Sequence, residues 1–156
     1  MGPAAKDPIQ LDDITVTFVL DEVDTRGAAT VFEIRVPAGA TFPRPHVHDG
    51  WDEAVYVLEG VFTFVVDGVS QELGAGQAAF AERGQVHGVA NTGGTDGVFL
   101  IVATPGVFRP AYFQELAKVL AASPGGPSDL DIGAIFGLMS RHGITPKIPG
   151  APTAAG

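Results

Sequence analysis

Two of the chain's four histidines stand one residue apart, His46 and His48, inside the stretch RPHVHDGWDEAVYVLEG at 44–60. Three acids, Asp49, Asp52 and Glu53, follow within five residues. Neutral imidazoles with one carboxylate suit iron, manganese, nickel, cobalt or zinc, whereas calcium and magnesium take oxygen ligands. Alternate residues of an extended chain share a face, so an extended 46–48 aims both rings at one point. Pro43 and Pro45 favour that form, because a residue ahead of proline is pushed out of the helical region. Asp49-Gly50 can turn the chain, and Glu53 can rejoin the same face as the next strand begins. His87 is a third imidazole, on a strand-like segment at 86–90. Four protein ligands would leave two positions of an octahedral ion open to substrate oxygen, water or dioxygen. Taken without context, a His-X-His pair on a strand is more often structural than metal-binding. Asp49 and Asp52 read as solvated turn acids.

The elements that must position these residues are short. Ile14–Leu20 and Thr30–Val36 are rich in β-branched residues and alternate well enough for half-buried strands. Residues 55–58 and Val61–Val66 flank Glu59-Gly60, a two-residue hairpin signal, and Asp67-Gly68 is a second. Gly74 and Gly76 mark a turn, after which 77–80, 86–90 and 98–103 complete the strand series. Short strands at this spacing predict a sandwich or barrel over 14–104. From 105 the period becomes helical. Tyr112, Phe113, Leu116, Val119 and Leu120 form one stripe, and Ile132, Ile135, Phe136 and Met139 another. Ser128 with Asp131 predicts a capping box, and Gly143 a C-terminal cap. The expected organisation is an arm at 1–13, a barrel at 14–104, a helical extension at 105–148 and a disordered tail at 149–156. Both helices are expected to pack on the barrel or on a partner subunit.

Composition narrows the function classes. A chain of 156 residues fits one domain and can bury a core without staples. The net charge of −9 and the lack of a basic block argue against nucleic acid and anionic membranes as partners. The absence of cysteine removes disulfides, thiolate ligands and a cysteine nucleophile. No apolar run reaches membrane-spanning length, and the N-terminus lacks an apolar signal core. A cytoplasmic protein is the expectation.

The spacing Gly39-(six residues)-His46-Val47-His48-(four)-Glu53-(six)-Gly60 resembles the first motif of the cupin superfamily, with one extra residue before the first histidine. Gly76-(five)-Glu82-Arg83-Gly84-(two)-His87-(three)-Asn91 looks like the second cupin motif, with Glu82 where proline is usual. Fifteen residues separate the two motifs, as is common in small microbial cupins. The resemblance implies an all-β fold, a double-stranded β-helix or jelly-roll barrel, here with a C-terminal two-helix extension. It also implies that His46, His48, Glu53 and His87 bind one divalent transition metal ion inside the barrel. Glu82 reads as an exposed loop carboxylate, with a base at the pocket mouth as the alternative.

The segments Ala103-Thr104-Pro105-Gly106, Tyr112-Phe113-Gln114-Glu115-Leu116 and Arg141-His142-Gly143-Ile144 resemble the tails of single-domain cupins grouped with quercetin 2,3-dioxygenases. That resemblance implies a dioxygenase-like enzyme acting on a small aromatic, enol or dicarbonyl substrate, with Glu53 as a ligand that can take a proton. The alternatives are a non-redox metal-dependent isomerase, cyclase or lyase, and a small-molecule-binding cupin without catalysis. Strand parity turns Val55 and Val57 inward with Glu53. Phe18, Phe32, Phe62, Phe64, Phe80 and Phe99 are candidates for the pocket wall or the core. Cupins frequently pair, so a homodimer is expected.

Overall fold

The computed structural model describes residues 2–123, 125 and 130–147. Among the described residues, eleven strands and two helices follow in the order β1 (Ile9–Leu11), β2 (Ile14–Leu20), β3 (Thr30–Val36), β4 (His46–His48), β5 (Asp52–Glu59), β6 (Val61–Val66), β7 (Val69–Gly74), β8 (Ala78–Ala81), β9 (His87–Asn91), β10 (Gly97–Thr104), α1 (Pro110–Ala121), α2 (Ile132–Arg141) and β11 (Ile144–Pro146). A six-stranded sheet runs β1-β2-β3-β10-β5-β8, and a five-stranded sheet runs β11-β4-β9-β6-β7. All pairings are antiparallel. The two sheets face one another as the predicted jelly roll.

Period-two patterning builds the interior. On β5, Glu53, Val55 and Val57 are buried while Tyr56 and Leu58 are exposed on the opposite face. Between the sheets, Phe18 stacks on Phe32 with ring centroids 4.8 Å apart, and Phe62 meets Phe99 edge-on at 5.0 Å. Each such fully buried ring contributes about 2 kcal/mol by removal from water. Phe80 departs from the set of core or pocket candidates. It lies on the outer face of edge strand β8 and is 54% exposed.

Several expected boundaries are redrawn. Part of the expected N-terminal arm is a strand: Ile9–Leu11 pairs with β2, Leu11 is buried, and the Lys6 amide donates to the Phe18 carbonyl at 2.9 Å. The polar segment Val69–Gly74, not read as a strand, pairs along its whole length with β6 beyond the Asp67-Gly68 turn. The helical extension also holds a strand, β11, which pairs with β4. Asp131 caps α2 itself, accepting from the Ala134 amide at 2.9 Å, so it is not the inner member of a capping box. Ser128 and the expected tail at 149–156 lie outside the described residues. Gly143 has φ +75°, as its predicted capping role requires.

Candidate metal centre

Two strands deliver the histidines and a third the carboxylate. His46 on β4 lies directly opposite His87 on β9 in the ladder, and His48 shares the face of His46 two residues on. Glu53 on β5 approaches from the other sheet. The ring centroids of His46, His48 and His87 are 4.4–4.7 Å apart. One ligand nitrogen from each lies within 4.8 Å of the others. The three buried rings form a potential metal site. Glu53 Oε2 lies 3.4 Å from His48 Nδ1, and Glu53 Oε1 lies 3.6 Å from His87 Nε2. All four predicted residues therefore meet at one place, and all four are buried.

Hydrogen bonding sets the tautomers. His46 Nδ1 is 2.6 Å from the Arg44 carbonyl oxygen, and His87 Nδ1 is 3.0 Å from that of Gln85. A carbonyl only accepts, so in both neutral rings Nδ1 carries the proton and Nε2 keeps its lone pair. His48 Nε2 is 2.8 Å from His46 Nε2. If His48 donates there, its bare Nδ1 faces the Glu53 carboxylate. If instead Nδ1 carries the proton, two Nε2 lone pairs face each other. His48 Nδ1, Glu53 Oε1 and His87 Nε2 are buried with no hydrogen-bond partner among the described residues. Each such atom costs about 1–3 kcal/mol in a dry interior.

Charge follows the same geometry. Burial lowers His46 to about 4, helped by the neighbouring His87, and lowers His48 to about 3. Both are neutral, lone-pair-bearing rings at pH 7. Burial pushes against ionisation of Glu53, but the three histidines outweigh it and hold the carboxyl down at about 2. His87 is likewise opposed by burial, yet the Glu53 carboxylate, the Gln85 carbonyl and Asp67 raise it above its usual value. The cluster thus carries a buried carboxylate beside two neutral rings with free lone pairs, His46 and His48, an arrangement that attracts a cation, whether a proton on His87 or a metal ion.

A cavity of about 940 Å³ opens from His46, His48 and Glu53. Phe32, Ile34 and Ile101 of the barrel wall it on one side, and Phe108, Phe113 and Leu116, with Ile135, Phe136 and Met139 of α2, on the other. Asp12, Asp13, Arg44 and Lys147 supply its charged positions. The exposed Glu82 is not among the lining residues. Asp49 is exposed on the turn, as expected. Asp52 is more than a turn acid: its carboxylate binds the Arg83 side chain at 2.9 and 3.0 Å and the Arg83 amide at 2.9 Å. These bonds hold its pKa at about 2 and tie the second-motif loop to β5.

Two features escaped the sequence. Trp51 stacks on His48 at 4.2 Å with 23° between planes, although it stands inside the opening stretch as the chain's single tryptophan. The helices wall the cavity, where stripe patterning alone said only that they pack.

A cupin domain model matches residues 32–103. An oxalate-binding protein of Thermotoga maritima is 30% identical over 91 residues, which span 58% of this chain and 74% of that protein. A solved predicted oxalate decarboxylase, also from Thermotoga maritima, is 28% identical with a TM-score of 0.56, covering 59% of this chain and 80% of its own. The solved polyketide cyclase RemF from Streptomyces resistomycificus is 32% identical with a TM-score of 0.52, covering 70% and 71%. The matched domain holds both histidine motifs, and the relatives agree with it across most of their own lengths. This chain belongs to the cupin superfamily.

Proposed function

We propose that the protein is a metal-dependent cupin enzyme, with His46, His48, His87 and Glu53 holding one divalent transition metal ion. The observation that carries this reading is the set of buried, unpartnered donor atoms at the meeting point of the four side chains. The imidazoles of His46, His48 and His87 and the carboxylate of Glu53 would hold such an ion, which would leave none of these buried polar groups unsatisfied. The carbonyls of Arg44 and Gln85 hold two of the rings in the required tautomer. The chemistry such an ion would supply is Lewis acidity toward substrate oxygens, lowering their pKa.

The substrate class follows from the cavity. Its walls are mainly aromatic and aliphatic, and its volume falls in the range for drug-sized ligands. An enol, phenol or dicarbonyl on an apolar frame fills it; a dicarboxylate of oxalate's size leaves most of it wet. Glu53, ionised and beside the histidines, is placed to accept the proton of a substrate hydroxyl, provided that a bound ion has first lowered the hydroxyl's pKa, because a carboxylate held at about 2 is a weak base. The reaction we favour is dioxygenase-like. Oxygen consumption by protein loaded with iron, manganese, nickel, cobalt or zinc, assayed with quercetin and simple diketones, tests it. No uptake with any metal rejects the dioxygenase chemistry.

A second reading is non-redox: a cyclase, isomerase or lyase on the same ligands. The 32% identity to the polyketide cyclase favours it. Turnover of a polyketone under nitrogen by the zinc form would select this reading over the first. A binding protein without catalysis is the third reading, favoured by the relative named for oxalate binding. We also propose a homodimer through the outer face of the larger sheet, where Tyr56 and Phe80 are exposed.

A further inference from the structure

We propose that Trp51 is a positioning residue for His48, and that it carries the C-terminal extension's packing to the metal site. The inference rests on the metal-centre reading above. It begins from an asymmetry among the three histidines. His46 and His87 are each oriented by a bond from Nδ1 to a backbone carbonyl, of Arg44 and of Gln85. His48 Nδ1 has no hydrogen-bond partner among the described residues; the nearest acceptor, Glu53 Oε2, lies 3.4 Å away without hydrogen-bond geometry. A metal-binding imidazole needs its ring plane fixed, and the usual device is a bond at the distal nitrogen.

What His48 has instead is a face-on neighbour. The Trp51 indole lies 4.2 Å away at 23°, close to parallel. Trp51 is itself immobilised. Phe108, just ahead of α1, stacks on it at 4.9 Å and 20°. A Cβ added at Gly143, after α2, would meet the indole Cζ3 at 3.2 Å, so the glycine lets the backbone close over the ring. The next residue, Ile144, pairs with His48 in the ladder. Phe108, Gly143 and Ile144 all lie beyond the matched domain at 32–103. The extension thus reaches His48 along the backbone through Ile144 and on the ring face through the indole, with Phe108 stacked behind it at 6.2 Å from the imidazole. The contact also gains strength on loading: a metal-bound imidazole is partly cationic, and the indole face is electron-rich.

The test uses Co²⁺ as the probe and the full-length metal-free protein. Affinity is measured by competition with a colorimetric chelator, and ligand geometry by the visible Co²⁺ spectrum. Trp51→Phe keeps a stacking face and stays within roughly threefold of the parent with the parental spectrum. Trp51→Leu keeps apolar bulk but loses the face; it binds roughly tenfold more weakly or worse, the loss expected when a ligand's orienting partner is removed, and its spectrum changes. A structural role alone moves the melting temperature and leaves the spectrum of the bound ion intact. A second measurement needs no variant. Trp51 is the chain's single tryptophan, so its emission must fall in step with Co²⁺ uptake. Parental affinity and spectrum in Trp51→Leu, or cobalt uptake that leaves the emission unchanged, overturns the proposal alone. A parent that takes up no cobalt overturns the metal reading and this inference with it.

Discussion

Acidifying the metal-free protein from pH 7 to pH 5 should cost it about 3–4 kcal/mol of stability. In the unfolded chain His46 and His48 take up protons near pH 6.5; in the fold they resist until about 4 and about 3. Their folded pKa values are depressed, so the stability they contribute is full above 6.5 and is lost as pH falls toward the folded values. At pH 5 each unfolded imidazole is about 1.5 units below its pKa, and each unit is worth about 1.4 kcal/mol, so the two together lose about 4. His87 runs the other way. Its folded pKa is raised, so its contribution is present below 6.5 and fades as pH rises, which offsets part of the loss. Glu53, held at about 2, begins to matter only below its unfolded value of 4.5, outside this window. Urea unfolding of chelator-treated protein at pH 7, 6 and 5 reads the difference. A net loss of about 3–4 kcal/mol is a large fraction of a typical domain's 5–15 kcal/mol. The His46→Gln variant should lose about half as much. A parent whose stability changes by less than about 1 kcal/mol across this window would refute the reasoning, since its imidazoles would then titrate as if in water.

Other outcomes follow from packing. Gly97→Ala places a Cβ 2.6 Å from Phe62 Cζ and 3.0 Å from the Glu59 carbonyl oxygen, in a fully buried setting; urea midpoints should show a loss of about 1–3 kcal/mol. Burial raises Tyr112 to about 12, so its contribution is full below pH 10 and is lost as pH climbs from 10 to 12, by about 2–3 kcal/mol. Alkaline unfolding of Tyr112→Phe should lack that component. Phe80→Asp should convert a dimer to a monomer by light-scattering mass, whereas a monomeric parent at micromolar concentration rejects the proposed pairing.

Much of the barrel was legible because its strands are half-buried. Ile14–Leu20, Thr30–Val36 and Val61–Val66 have the predicted bounds, since β-branched alternation and the glycine turns coincide there. The same parity placed His46 beside His48 and turned Glu53, Val55 and Val57 inward. Strands without an apolar signal were not legible. Val69–Gly74 buries only Leu73 fully and exists because the hairpin turn lays it on β6. Ile9–Leu11 and Ile144–Pro146 are three residues each, too short for a period, and owe their form to β2 and β4. Phe80 has the composition of a core residue, but its edge strand turns it to solvent, a choice that residue type does not encode. The Trp51–His48 stack depends on Phe108 and Gly143, more than fifty residues downstream. Local spacing cannot announce such a contact.

The most direct measurement is the metal content of the protein as isolated, by elemental analysis, beside His46→Ala, His48→Ala and His87→Ala. About one transition metal ion per chain in the parent, and little in any of the three variants, is the predicted result. Iron, manganese or nickel would favour the dioxygenase reading, and zinc alone the non-redox one. A parent that holds no metal after incubation with each of the five ions, or a His46→Ala variant that holds as much as the parent, contradicts the metal centre.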